Sequence, residues 1–251
     1  MREREVPWQS LPVRWGLDLA IWTARLKQMP LLSLPSPARP WIFLCLGSAL
    51  LGLAFVWANT PPLFVLSSVL VAATWFAGGF VLMRHAGLGD AALDQPSLAS
   101  RGGHRHGRQR AGWGWVALAA AGTVLFFLAG TWVLSQIPLT AAFVETAVVS
   151  ASWTPLWLTV IVALVTGWGE ETFFRGGLPR AWGRRGQAWS LLAYTVSTLF
   201  TGNAVLVLAA PILGVVCQAV YNRTGRLAAA WAVHSAFSLG VVGLVPLLFV
   251  P

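Results

Sequence analysis

Residues 153–180 read WTPLWLTVIVALVTGWGEETFFRGGLPR, a long apolar run that ends on two adjacent glutamates, Glu170 and Glu171. Apart from this pair, Glu145 is the only ionisable residue between Arg110 and Arg175. A carboxylate at lipid depth costs about 3 kcal/mol on insertion scales, so two together need a partner or a task. Arg175, one helical turn beyond Glu171, is the obvious partner.

Working outward, the same apolar character extends over most of the chain. Of 251 residues, 57% are hydrophobic and 10% charged, with a mean hydropathy of +0.68, too little charge to disperse a soluble domain of this length. Seven uncharged runs approach the length of about 20 residues that a helix needs to cross a bilayer. They cover 41–58, 63–83, 113–134, 154–169, 188–202, 205–221 and 227–250. The expected fold is therefore all-α and polytopic, with about seven transmembrane helices.

The seventeen basic residues fall in four places, 1–40, 84–112, 175–186 and 223–226, and none falls in the other connections. Seven spans put all four on one side, which the positive-inside rule makes cytoplasmic. The expectation is an integral plasma (cytoplasmic) membrane protein with its N-terminus inside and its C-terminus outside. Trp41, Trp57, Trp113, Trp132, Trp153 and Trp189 lie near span ends, where indole rings favour the interface. The net charge of +9 is spread over separate connections, so it reads as an orientation signal and not as nucleic-acid binding.

Residues 1–40 are too polar at their start for a cleavable signal, and 8–29 read as an amphipathic helix on the cytoplasmic surface. Pro30, Pro35, Pro37 and Pro40 then make a stiff lead into the first span. The loop at 84–112 carries His104 and His106 among arginines, whose charge opposes metal binding and suits a solvated, lipid-facing loop. Cys45 and Cys217 lie within apolar runs and read as packing residues.

Chemistry is expected after residue 153. On a helix Glu171 and Arg175 share a face, while Glu170 points about 100° away, so one carboxylate can be neutralised while the other meets a cavity. Partial desolvation there suits a general base. The plainer alternative has both glutamates simply paired with Arg175 or Arg180 at the water boundary. His234 lies about 12 Å along its span from Arg226 at 1.5 Å per residue, and Ser238 shares its face. Asn203, Gln218 and Asn222 are the other polar groups at membrane depth.

GEETFFRGGL, with Glu170, Glu171, Arg175, Gly176 and Leu178, resembles the Glu-Glu-x-x-x-Arg motif of the CPBP family, the CAAX-protease and bacteriocin-processing membrane enzymes. VYNRTGRLAAAWAVHSAFSL, with Tyr221, Arg223, Thr224, Gly225 and His234, is similar to that family's third block. The second block, Phe-x-x-x-His, retains Phe200 but has Ala204 at the histidine position, and Ser238 stands where the third block has asparagine. The resemblance implies an intramembrane endopeptidase acting on a peptide or protein substrate near the cytoplasmic leaflet. Glu170 would activate water, His234 would bind the oxyanion, and Glu171 and Arg175 would support them. Asn203 and Ser238 are candidate substitutes for the missing groups. Such a mechanism needs no cofactor and no metal. The resemblance also implies a division into 1–40, three generic spans over 41–152, and a protease core over 153–251.

Ala204 and Ser238 favour a second reading, a non-catalytic relative that keeps the fold as a scaffold, partner-binding or immunity-type membrane protein. A transporter would be expected to show inverted repeats, and the sequence has no such symmetry.

Overall fold

The computed structural model describes residues 37–86 and 112–246. The amphipathic segment over 8–29, Pro30 and Pro35, the loop with His104 and His106, and the last residues of the final span lie outside the described residues.

Long uninterrupted apolar runs close their own backbone hydrogen bonds as helices, the only open-chain solution where water is absent. The described residues are helical with no strand: α1 Arg39–Val56, α2 Pro61–His85, α3 Trp113–Ser135, α4 Pro138–Ser152 and α5 Leu156–Glu171. A π-helical turn, Thr172–Gly177, carries α5 on into the short α6, Leu178–Ala181. Then come α7 Gly186–Thr198, α8 Ala204–Thr224 and α9 Leu227–Leu239, the last continued by a second π turn, Gly240–Leu244. Prolines stand in the first turns of α2, α4 and α6, where a missing N–H costs nothing. Between α8 and α9, Gly225 takes the left-handed conformation at φ 71° and its N–H closes on the Tyr221 carbonyl.

The chain is an all-α membrane protein. Among the described residues five helices, Arg39–Val56, Pro61–His85, Trp113–Ser135, Ala204–Thr224 and Leu227–Leu244, are long and apolar enough to cross a membrane. Of the two other expected spans, the run at 154–169 forms the 16-residue α5, which continues unbroken through the π turn to Ala181. The run at 188–202 forms only the 13-residue α7 and a 3₁₀ turn. Residues 138–152, expected as a connection, form the helix α4 instead, because Pro138 starts a run free of helix breakers. Outward apolar side chains such as Leu118, Leu125 and Trp157 are well exposed, as suits a lipid-facing surface.

Among the described residues, Arg180, Arg223 and Arg226 lie at one end of the bundle. Arg223 lies over the Trp115 ring at 4.9 Å and Arg226 over Trp113 at 5.9 Å. Trp41 packs on Trp182 with centroids 5.2 Å apart, and Arg180 Nη2 donates to the Tyr221 hydroxyl at 2.8 Å. At the opposite end Asn203 Nδ2 donates to the Phe143 carbonyl at 3.0 Å.

Trp75 of α2 is fully buried against Phe173 and Phe174 of the π turn, at centroid distances of 4.8 and 5.0 Å. Leu213, Val220, Leu227, Ala230 and Val233 close the adjoining α8–α9 seam. Backbones of α2 and the π turn touch: a Cβ on Gly79 would meet the Thr172 carbonyl oxygen at 2.7 Å. Small residues are what allow this approach between helices.

Candidate active site

Glu170 and Glu171 close α5 where it passes into the π turn, and their different bearings give them different surroundings. Glu171 points inward. Its Oε1 lies 3.1 Å from Arg175 Nη1 and 2.8 Å from His234 Nδ1, so one buried oxygen holds both a guanidinium and an imidazole. Arg175 is itself fixed: Nη2 donates to the Gly214 carbonyl at 3.3 Å, and the guanidinium lies over the Tyr194 ring at 4.6 Å. A carboxylate only accepts, so Nδ1 is the donor and His234 turns its Nε2 the other way. That nitrogen lies 3.8 Å from Glu170 Oε2.

The imidazole is held from α5 as well. Trp231, three residues before His234, donates from Nε1 to the Leu164 carbonyl at 3.0 Å and packs on Trp168 with centroids 4.3 Å apart. Gly167 leaves room for the ring, since a Cβ there would sit 3.3 Å from His234 Cδ2. The wide turn beyond Glu171 loosens backbone pairing, and side chains take up its carbonyls. Arg180 donates to the Arg175 and Gly176 carbonyls, and Ser190 donates to that of Phe174. Such π turns recur at functional sites.

Glu170, His234 and Ser238 line one cavity of about 230 Å³. Its walls are otherwise mainly apolar, with Leu51, Phe55, Val71, Val162, Phe237 and Val241 among them. Side-chain exposure separates the two acids: 14% for Glu170 against 1% for Glu171, so only Glu170 meets the cavity. Glu170, His234 and Ser238 thus border one space, with a fixed ion pair behind the ring.

Several residues stand apart from this group. Asn203 caps α8, its Oδ1 accepting from the Val205 and Leu206 N–H groups at 3.0 and 3.3 Å, and it does not line the cavity. As a substitute for the missing histidine it is therefore misplaced, because both ends of its amide are committed. Phe200 is 53% exposed, and Ala204 is likewise absent from the cavity wall. Gln218, Asn222 and Gln187 hydrogen-bond to one another toward the basic end.

Residues not singled out by sequence complete the surroundings. Tyr194 backs Arg175 and also faces the Glu170 carboxylate. Cys217 donates to the Ala230 carbonyl at 3.7 Å, and Cys217, Glu171 and His234 bring possible ligand atoms within 4.8 Å of one another. That trio does not suit a cation, because the Arg175 guanidinium already lies 3.1 Å from the Glu171 carboxylate. Tyr194 is one of only two tyrosines in the chain, and that rarity at membrane depth was the available signal. Nothing local marked Gly167 or Cys217 as neighbours of His234.

The division of the chain is also less sharp than the motifs suggest. Leu51, Ala54, Phe55 and Ala58 from the first span, and Phe64, Ser68 and Val71 from the second, form part of the cavity wall.

The model of the family described as type II CAAX prenyl endopeptidase, Rce1-like, matches residues 150–240, which contain α5 to α9 and every ionisable group of the site. No curated protein and no solved structure matches the chain.

Proposed function

We propose that this protein is an intramembrane endopeptidase in which Glu170 activates water. The observation that carries the reading is the single cavity shared by the Glu170 carboxylate and His234 Nε2, 3.8 Å apart, with Glu171 and Arg175 bracing the ring from behind. The match of residues 150–240 to a protease family supports it.

In this mechanism Glu170 takes a proton from water and the oxygen attacks the peptide carbonyl carbon. His234 Nε2, when protonated, and the Ser238 hydroxyl donate to the oxyanion as it forms. The C–N bond then breaks, and the Glu170 carboxyl returns its proton to the leaving amine. Glu171 keeps Nδ1 as donor and fixes the ring plane, while Arg175 balances the charge of Glu171. Preorganised donors of this kind are worth about 10²–10³ each in rate. The protease core comprises 153–251, and the first two spans shape the cavity.

The name of the matched family specifies CAAX prenyl substrates. Apolar walls alone do not distinguish an isoprenoid from an apolar side chain, so the proposal is for a peptide. The test compares cleavage of a peptide library by purified wild type and Glu170→Ala, read by mass spectrometry. Cleavage by wild type alone supports the assignment; cleavage that survives the substitution ends it. Absence of cleavage in both favours the second reading, a membrane scaffold or partner-binding protein. That reading draws on the absence of Ala204 from the cavity and the engagement of Asn203, which leave His234 as the one imidazole among the described residues lining it.

A further inference from the structure

The cavity is not centred in the bundle. On α5 it runs from Thr159 to Glu170, eleven residues or about 16 Å at 1.5 Å per residue, all on the side of the site away from the basic connections. The other elements agree. Leu51–Ala58 is the far end of α1, Phe64–Val71 the far half of α2, Leu206 the start of α8, and His234–Val242 runs away from Arg226. On the basic side of Glu170 the packing is closed: Phe173, Leu178, Cys217, Val220 and Ala230 are each 0% exposed. Glu171 and Arg175 sit within that closed layer.

Among the described residues, the site thus lies at the basic-side end of the cavity lining. The sequence-based expectation of action from the cytoplasmic leaflet places access at the end where the described side chains are closely packed. From this geometry we infer that substrate enters from the end opposite the basic connections, which the charge rule makes the external half of the membrane. The inference rests on the peptidase reading for what enters. A wall about 16 Å long accommodates about five residues of extended chain at 3.3 Å each. The lining selects an apolar segment, one that leaves its helix before its carbonyl reaches Glu170.

Access can be tested without catalysis. In a Cys45→Ala background, since Cys45 is exposed and Cys217 buried, single cysteines are placed in the cavity as Ala163→Cys and Ser238→Cys. Gln136→Cys and Arg184→Cys, both at exposed positions, mark the two ends. Sealed vesicles receive a charged, membrane-impermeant methanethiosulfonate on one face at a time. The expected result is labelling of both cavity cysteines from the face that labels Gln136→Cys, and loss of labelling from the other. Labelling from the Arg184→Cys face, or protection from both, overturns the inference. Ala163→Cys is a one-atom addition and reports independently if Ser238→Cys fails to fold. A protein that labels as expected yet cleaves nothing retains this route and loses only the peptidase assignment.

Discussion

Neighbouring glutamates with one backbone step between them take opposite parts because a helix turns about 100° per residue. Glu171 is consumed by Arg175 and His234, and Glu170 faces the cavity. Glu170→Gln keeps the shape and removes the base, so peptide cleavage should fall by about 10²–10⁴ with unfolding unchanged. A rate assay beside thermal unfolding in detergent checks both halves. Arg175→Met should act in the reverse order. It strands the buried Glu171 charge, and breaking a buried pair from one side costs about 3–5 kcal/mol, read as a lower unfolding midpoint. Of these residues, the Glu171–Arg175 pairing was legible in the sequence from its four-residue spacing alone. The contact between Glu171 and His234 was not, since 63 residues separate them and only helix packing brings them together.

Helix packing in turn depends on where side chains are missing. Gly79 lets α2 lie against the backbone of the π turn, whereas Gly122 on α3 has no atom near its absent Cβ. Gly79→Ala should therefore destabilise by about 1–3 kcal/mol through forced separation of the backbones. Gly122→Ala should be neutral or stabilising by up to about 1 kcal/mol through helix propensity. Paired unfolding curves distinguish the two. Asn203→Ala removes the cap of α8 and should cost about 1 kcal/mol while leaving any cleavage rate intact, a direct check that Asn203 is structural. Elements with long uniform apolar runs were legible in the sequence. α4 was not read, because a 15-residue run carries too little apolar length to be told from a loop, and α7 with its 3₁₀ turn covers the run expected at 188–202 with a short helix.

Across the whole molecule, charge and packing divide along the same axis. Among the described residues, Arg223 and Arg226 lie at one end, close aromatic packing fills the half beneath them, and the cavity occupies the other half. An epitope inserted after Gln136 should be accessible from one membrane face and one inserted after Arg184 from the other, as read by antibody binding to sealed and permeabilised cells. Access to both from the same face would refute the alternating path of α3 and of the helix running from Leu156 to Ala181.

Sequence by itself determined the helical class and singled out Glu170, Glu171, Arg175 and His234 as candidates. These follow from hydropathy, charge and short spacings, which are local properties of the chain. Tertiary structure alone decided that the two glutamates meet opposite nitrogens of one ring, that Asn203 is a cap, and that the cavity points away from the basic end. Those facts depend on how distant helices approach, and that approach is set by small residues and aromatic packing spread over the whole chain.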